Sequence, residues 1–143
     1  MKHIRRAIAL SGLLVLLTFS SALAQTERQT IYIPFAFSVG EKAFAPGKYV
    51  IERNRRESDT VWVIRQKETG EAALFLTRSV RSVNTPEQTR LVFHRYADLY
   101  FLSELWSTGS NAGHEVEISN RERAIEKSVA EKRQDVILTG RGQ

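Results

Sequence analysis

The stretch Leu91–Trp106 reads LVFHRYADLYFLSELW. Two runs rich in β-branched, aromatic and leucine residues flank Tyr96-Ala97-Asp98, the pattern of a β-hairpin. A three-residue loop over 96–98 sets Arg95 opposite Leu99, Phe93 opposite Phe101 and Leu91 opposite Ser103. Side chains alternate across a strand, so Leu91, Phe93, Leu99, Phe101 and Leu105 share one face. Val92, His94, Tyr100, Leu102, Glu104 and Trp106 share the other. Arg90 then faces Glu104, a cross-strand pair contributing about 0.2–1 kcal/mol. A two-residue loop, Ala97-Asp98, would set Leu91 against Glu104, so the three-residue loop is preferred. Neither face is polar throughout, which predicts a central pair covered on both sides.

Outward from the hairpin, Ile31, Ile33, Phe35, Phe37 and Val39 alternate with Tyr32, Pro34, Ala36 and Ser38, the cleanest period-two signal in the chain. Pro34 cannot donate to a ladder, which places this strand at an edge or at a bulge. Pro46-Gly47 predicts a type II turn with positive φ at Gly47. Short strands follow at Tyr49–Arg53 and Thr60–Arg65. Glu68-Thr69-Gly70 closes a hairpin onto Ala72–Thr77, and Arg78–Asn84 is a weaker strand. Ser107–Gly113 is a flexible loop and His114–Ile118 one more short strand.

Ser119-Asn120-Arg121-Glu122 fits a capping box, in which Ser119 accepts from the Glu122 backbone and the Glu122 side chain reaches back. The helix it opens spans about 120–133, with Ala124, Ile125 and Val129 as a narrow apolar stripe. A last strand covers about 135–139. There is no repeat and no linker. The fold class is therefore mainly β, an antiparallel small barrel or sandwich of about 7–9 strands with one C-terminal helix.

Two motifs carry a resemblance. Leu91-Val92-Phe93-His94-Arg95-Tyr96, then Asp98, Tyr100-Phe101-Leu102-Ser103-Glu104 and Trp106 form one. Ile33-Pro34-Phe35-Ala36-Phe37, Val39-Gly40, Lys42, Gly47 and Tyr49 form the other. Together they resemble a family of small secreted proteins of unknown function frequent in acidobacteria. The resemblance implies no activity. Family members often have Gly where this chain has Ala97. Ala tolerates positive φ poorly, so a left-handed turn residue is not expected there.

Lys2, Arg5 and Arg6 precede an apolar run, Ile8–Phe19, and an Ala22-Leu23-Ala24 cleavage site. This is a secretory signal peptide over 1–24, which leaves 25–143 as a single β-rich domain, exported to the periplasm or beyond the cell. The run is shorter than the roughly 20 apolar residues of a spanning helix, so no transmembrane segment is expected after cleavage. The net charge of +5 comes from 21 bases against 16 acids. Removing Lys2, Arg5 and Arg6 leaves 18 against 16, or +2. The remaining bases are spread along the chain, which argues against a nucleic-acid partner. There is no cysteine, so without disulfides the exported core holds the fold alone or an oligomer helps it.

No motif for a metal, a cofactor or a catalytic nucleophile is present. His94 lies mid-strand and reads as a packed strand histidine, and His114 as a solvated loop histidine. The protein is expected not to be an enzyme. A carrier of a small apolar or amphipathic ligand comes first, a structural or interaction module of the cell envelope second, an enzyme third. His94, Tyr100, Leu102 and Trp106 are the candidate ligand-binding residues, because one face gathers aromatics with a histidine and an acid.

Overall fold

The computed structural model describes residues 28–56, 58–129 and 132–140. The expected signal peptide lies outside them. The strands are β1 (Arg28–Ile33), β2 (Phe37–Val39), β3 (Lys42–Phe44), β4 (Gly47–Arg53), β5 (Val61–Gln66), β6 (Ala72–Arg81), β7 (Thr89–Tyr96), β8 (Leu99–Trp106), β9 (Ala112–Val116) and β10 (Gln134–Gly140). One helix, α1 (Asn120–Ser128), precedes β10. Among the described residues the chain is mainly β with a single late helix, in a barrel-like or sandwich arrangement.

Antiparallel ladders run in the order β1-β4-β5-β6-β9-β8-β7-β10. β6 is long enough to serve two neighbours. Its first half pairs β5 and its second half pairs β9. β9 in turn pairs only the last three residues of β8. A wedge is left between the first halves of β6 and β8, and the β2–β3 hairpin fills it. β2 meets β8 in a parallel bridge at Ser38 and Phe101. β3 reaches β6 through Lys42 Nζ, which donates to the Ala72 carbonyl at 2.9 Å and bridges Glu71 at 3.1 Å.

β1 and β10 end the path. They approach closely enough that a Cβ on Gly140 would lie 2.9 Å from Ile31 Cδ1, yet no ladder joins them among the described residues. The predicted strand over 31–39 is split at Pro34, where the missing N–H ends β1 and the chain crosses to β2. β1 is an edge, as the proline required.

The interior is occupied by side chains. Phe37 touches Phe44, Tyr49 and Phe93 at ring distances of 5.0–5.6 Å. Ile33, Ile51, Trp62, Ile64 and Leu91 are fully buried around them. The expected type II turn at Pro46-Gly47 does not form. Gly47 begins β4 without positive φ, and its lack of a Cβ instead leaves room for Gln66 Nε2, 2.8 Å from where a Cβ would stand.

The 91–106 hairpin forms, with a different register. Tyr96 is opposite Leu99, so the loop is the two residues Ala97-Asp98. Phe93 faces Leu102 and Val92 faces Glu104, which makes Ser103 the extra residue of a β-bulge. The bulge removes the clash of pattern that disfavoured the short loop, since Leu91 faces Leu105 rather than Glu104. Arg90 is opposite Trp106, not Glu104, and its guanidinium stacks over the indole at 4.9 Å. Leu99 is exposed instead of joining the core, and Phe101 is buried outside it.

Ala97 is left-handed after all, with φ +52. The two-residue turn demands it, and Arg95 Nε donates to the Ala97 carbonyl at 2.6 Å. A Cβ in that conformation costs about 1–2 kcal/mol, of which glycine's extra chain entropy offsets about 0.5–1. Ala97→Gly is therefore expected to raise stability by about 0.5–1 kcal/mol, seen as a higher urea midpoint. A lower midpoint would show that the turn is not strained.

Candidate functional site

The bulge at Ser103 decides what meets His94. It turns the Ser103 hydroxyl to the outer face of the β7–β8 pair, where His94 and Tyr96 also point. α1 lies against this face. Its cap is Ser119, whose hydroxyl accepts from the Glu122 N–H at 3.1 Å. The Glu122 side chain does not complete the box. It turns to the sheet, where Oε1 accepts from His94 Nδ1 at 2.6 Å and from the Tyr96 hydroxyl at 3.2 Å. Since Glu122 only accepts, His94 Nδ1 carries a proton, and in the neutral ring Nε2 accepts from Ser103 Oγ at 2.8 Å. One line of hydrogen bonds thus runs from Ser103 through His94 to Glu122.

That order is the order of a serine nucleophile, its base and the acid that orients it. Ser103 and Glu122 are each 4% exposed, and the His94 side chain 12%. The arrangement ties α1 to the β7–β8 pair. Glu122 is the buried residue of α1, while Ala124 of the expected stripe is exposed and Ile125 and Val129 are half-buried. The helix stops at Ser128 rather than near 133. Val129 is already extended, and β10 then gains seven pairs along β7. A short polar helix has little propensity to set against that ladder.

The four expected ligand-binding residues do not share one face. Leu102 packs into the interior, and Tyr100 stacks on Phe35 at 4.2 Å at the interior's margin. His94 is under α1. Trp106 donates from Nε1 to Glu104 Oε2 at 2.7 Å and lies against Gly113, where any Cβ would come within 2.6 Å of the ring. The shift follows from the two-residue turn and the bulge, which exchange Phe101 with Tyr100 and Leu102. His114 lies in β9, not in a loop, with its ring 4.8 Å from Trp62 and Nε2 3.2 Å from an Arg53 nitrogen.

Ser103 and Glu122 are the residues that sequence reading passed over. A signal existed for Glu122. Ile118, Glu122, Ile125 and Val129 are spaced three and four apart, so the acid sits on the helix's inward stripe and needs a partner there. Among the described residues no three His, Cys, Asp or Glu side chains converge as metal ligands.

Burial, and then the Glu122 carboxylate, push the Tyr96 phenol up from 10.0 to about 12. The folded state holds this proton more tightly than the unfolded chain. Its contribution is whole below pH 10, and is lost as pH rises from there through about 12. Tyr96→Phe is expected to flatten that alkaline loss in a series of urea midpoints. Removing the carboxylate leaves two buried donors unpaired, so Glu122→Ala is expected to cost about 2–4 kcal/mol. A cost no larger than that of the exposed Glu126→Ala would mean that Glu122 does not hold the helix. No family model matches this chain, and no curated protein and no solved structure matches it either.

Proposed function

We propose that the protein is an exported, non-catalytic β module of the cell envelope that works through its outer surface. The observation that carries this reading is an aliphatic strip on the outside of the β5–β6 pair. Leu74 stands opposite Val63 and Leu76 opposite Val61, with the two leucines 58% and 48% exposed. Contiguous apolar surface of this kind, set among charges, marks a place of contact. The filled interior favours a surface role over a carrier of a small apolar ligand, because small barrels packed with side chains leave no room for one. The burial of Ser103 favours a holding role over a catalytic one for the Ser103–His94–Glu122 line. The signal over 1–24 and the two family motifs support the address.

The test is fractionation of the producing cells together with extraction of the purified protein. Wild type is expected to sediment with the envelope, and Leu74→Ser/Leu76→Ser to be released from it. Ile137→Ser, which changes an exposed apolar side chain elsewhere, is expected to behave as wild type. Unchanged sedimentation of the double variant would remove the proposal. So would an equimolar small apolar molecule in the extract, which would restore the carrier, or labelling of Ser103 by a fluorophosphonate, which would restore the enzyme.

A further inference from the structure

The strip has a border in which basic side chains outnumber acidic ones. Along β1, β4, β5 and β6 the inward positions are core residues, among them Ile31, Tyr49, Trp62 and Phe75. Alternation then fixes which side chains stand outside. Tyr32 is opposite Lys48, and the Lys67 N–H bonds the Lys48 carbonyl at 2.9 Å, so these three continue one row. Arg65 is opposite Val50 and Ala72 in the next. Arg28, Glu52, Val63 and Leu74 make the third. Val61 and Leu76 begin the fourth.

The charges on these rows do not balance. Arg28, Lys48, Arg65 and Lys67 stand against two carboxylates: Glu52, which Arg28 already bridges at 3.6 Å, and Glu117, whose N–H bonds the Leu76 carbonyl at 3.1 Å and which ends the fourth row. Other acids nearby are engaged elsewhere. Glu115 binds Arg78 at 2.7 Å, Glu71 binds Lys42 at 3.1 Å, and Asp59 bridges Arg53 at 3.8 Å. Glu68 lies toward the inner side, near Tyr49. Tyr32, 58% exposed, completes the face with an amphipathic ring. α1 is held against β7 and β8 and does not cover it.

We propose that this face binds the surface of an anionic lipid bilayer, which rests on the reading that the protein works through its outside. Leu74, Leu76 and Tyr32 enter the boundary between headgroups and chains, and Lys48, Arg65 and Lys67 meet lipid phosphates. The surplus of basic side chains selects an anionic partner. An acidic protein is the rival occupant. The ridge has two leucines and two valines at its centre, without the buried Trp or Arg anchor in a pocket that carries protein–protein affinity. A fluid headgroup layer asks for no such anchor.

The test is co-sedimentation with vesicles of phosphatidylglycerol mixed with phosphatidylcholine, against vesicles of phosphatidylcholine alone. Wild type and variants carry the same N-terminus, so residues 8–19 contribute equally to each. Wild type is expected to prefer the anionic vesicles by about ten-fold or more, and to lose that preference in high salt. Leu74→Ser/Leu76→Ser and, separately, Lys48→Glu/Lys67→Glu are each expected to lower binding by about ten-fold or more with an unchanged urea midpoint. Equal binding to both vesicle types, or variants that bind as wild type does, would overturn the inference. So would failure of wild type to bind any vesicle. If the leucine variant were nevertheless released from the envelope fraction, the face would belong to an acidic protein and the proposed function would stand without the lipid.

Discussion

Ser103 is one residue more than β7 can match, and the rest of the hairpin depends on how that residue is accommodated. Without the bulge, the two-residue turn would carry Glu104 to the interior beside Leu91. With it, Leu91, Phe93, Leu102 and Leu105 all face inward, and both ends of β8 keep their alternation. The same irregularity sends a hydroxyl to the outer face, where His94 needs a partner. Core and helix seat are thus set by one local departure from the ladder, in keeping with the use of bulges to re-aim a side chain.

The helix seat is unusual in what holds it. A helix on a sheet is ordinarily held by an apolar stripe. Here the inward stripe of α1 has a carboxylate where a leucine would be expected, and the sheet answers with an imidazole and a phenol. A buried carboxylate without partners would be costly, and its two donors make its position specific rather than merely tolerated. Ile125 and Val129 add only half-buried surface. The docking of α1 is consequently directional: a displaced helix would leave Glu122, His94 and Tyr96 unpaired together.

Much of the fold was legible, because it rests on period-two alternation and on turn residues. The strands over 49–53, 60–65 and 72–77, the late helix with its Ser119 cap and the final strand all follow from such local signals. What was not legible was whatever depends on pairing partners far along the chain. The bulge at Ser103 is decided by β7 against β8, and no property of Ser103 itself announces it. Ala97 is forced into a left-handed conformation by the strands on either side, against its own preference. Gly47 was a turn signal by composition and a space-saving residue in fact, because Gln66 arrives beside it from β5. The grouping of the four candidate residues on one face was undone by the same route: a one-residue change of register moved Tyr100 and Leu102 to the inward side and left His94 and Trp106 without them.

The seam between β1 and β10 has a mechanical meaning. Among the described residues each of these strands is fastened by ladder hydrogen bonds on one side only, β1 to β4 and β10 to β7, and across the gap the Ile31 side chain packs against Gly140. A load applied to the outer strands need not break a continuous ring. It can peel β10 from β7 and β1 from β4 in separate events, one bonded pair after another. The β7–β8 hairpin, flanked by β9 and the β2–β3 plug, would be left to resist last. The order of failure is written in the strand order, with the weakest line where the first strand meets the last.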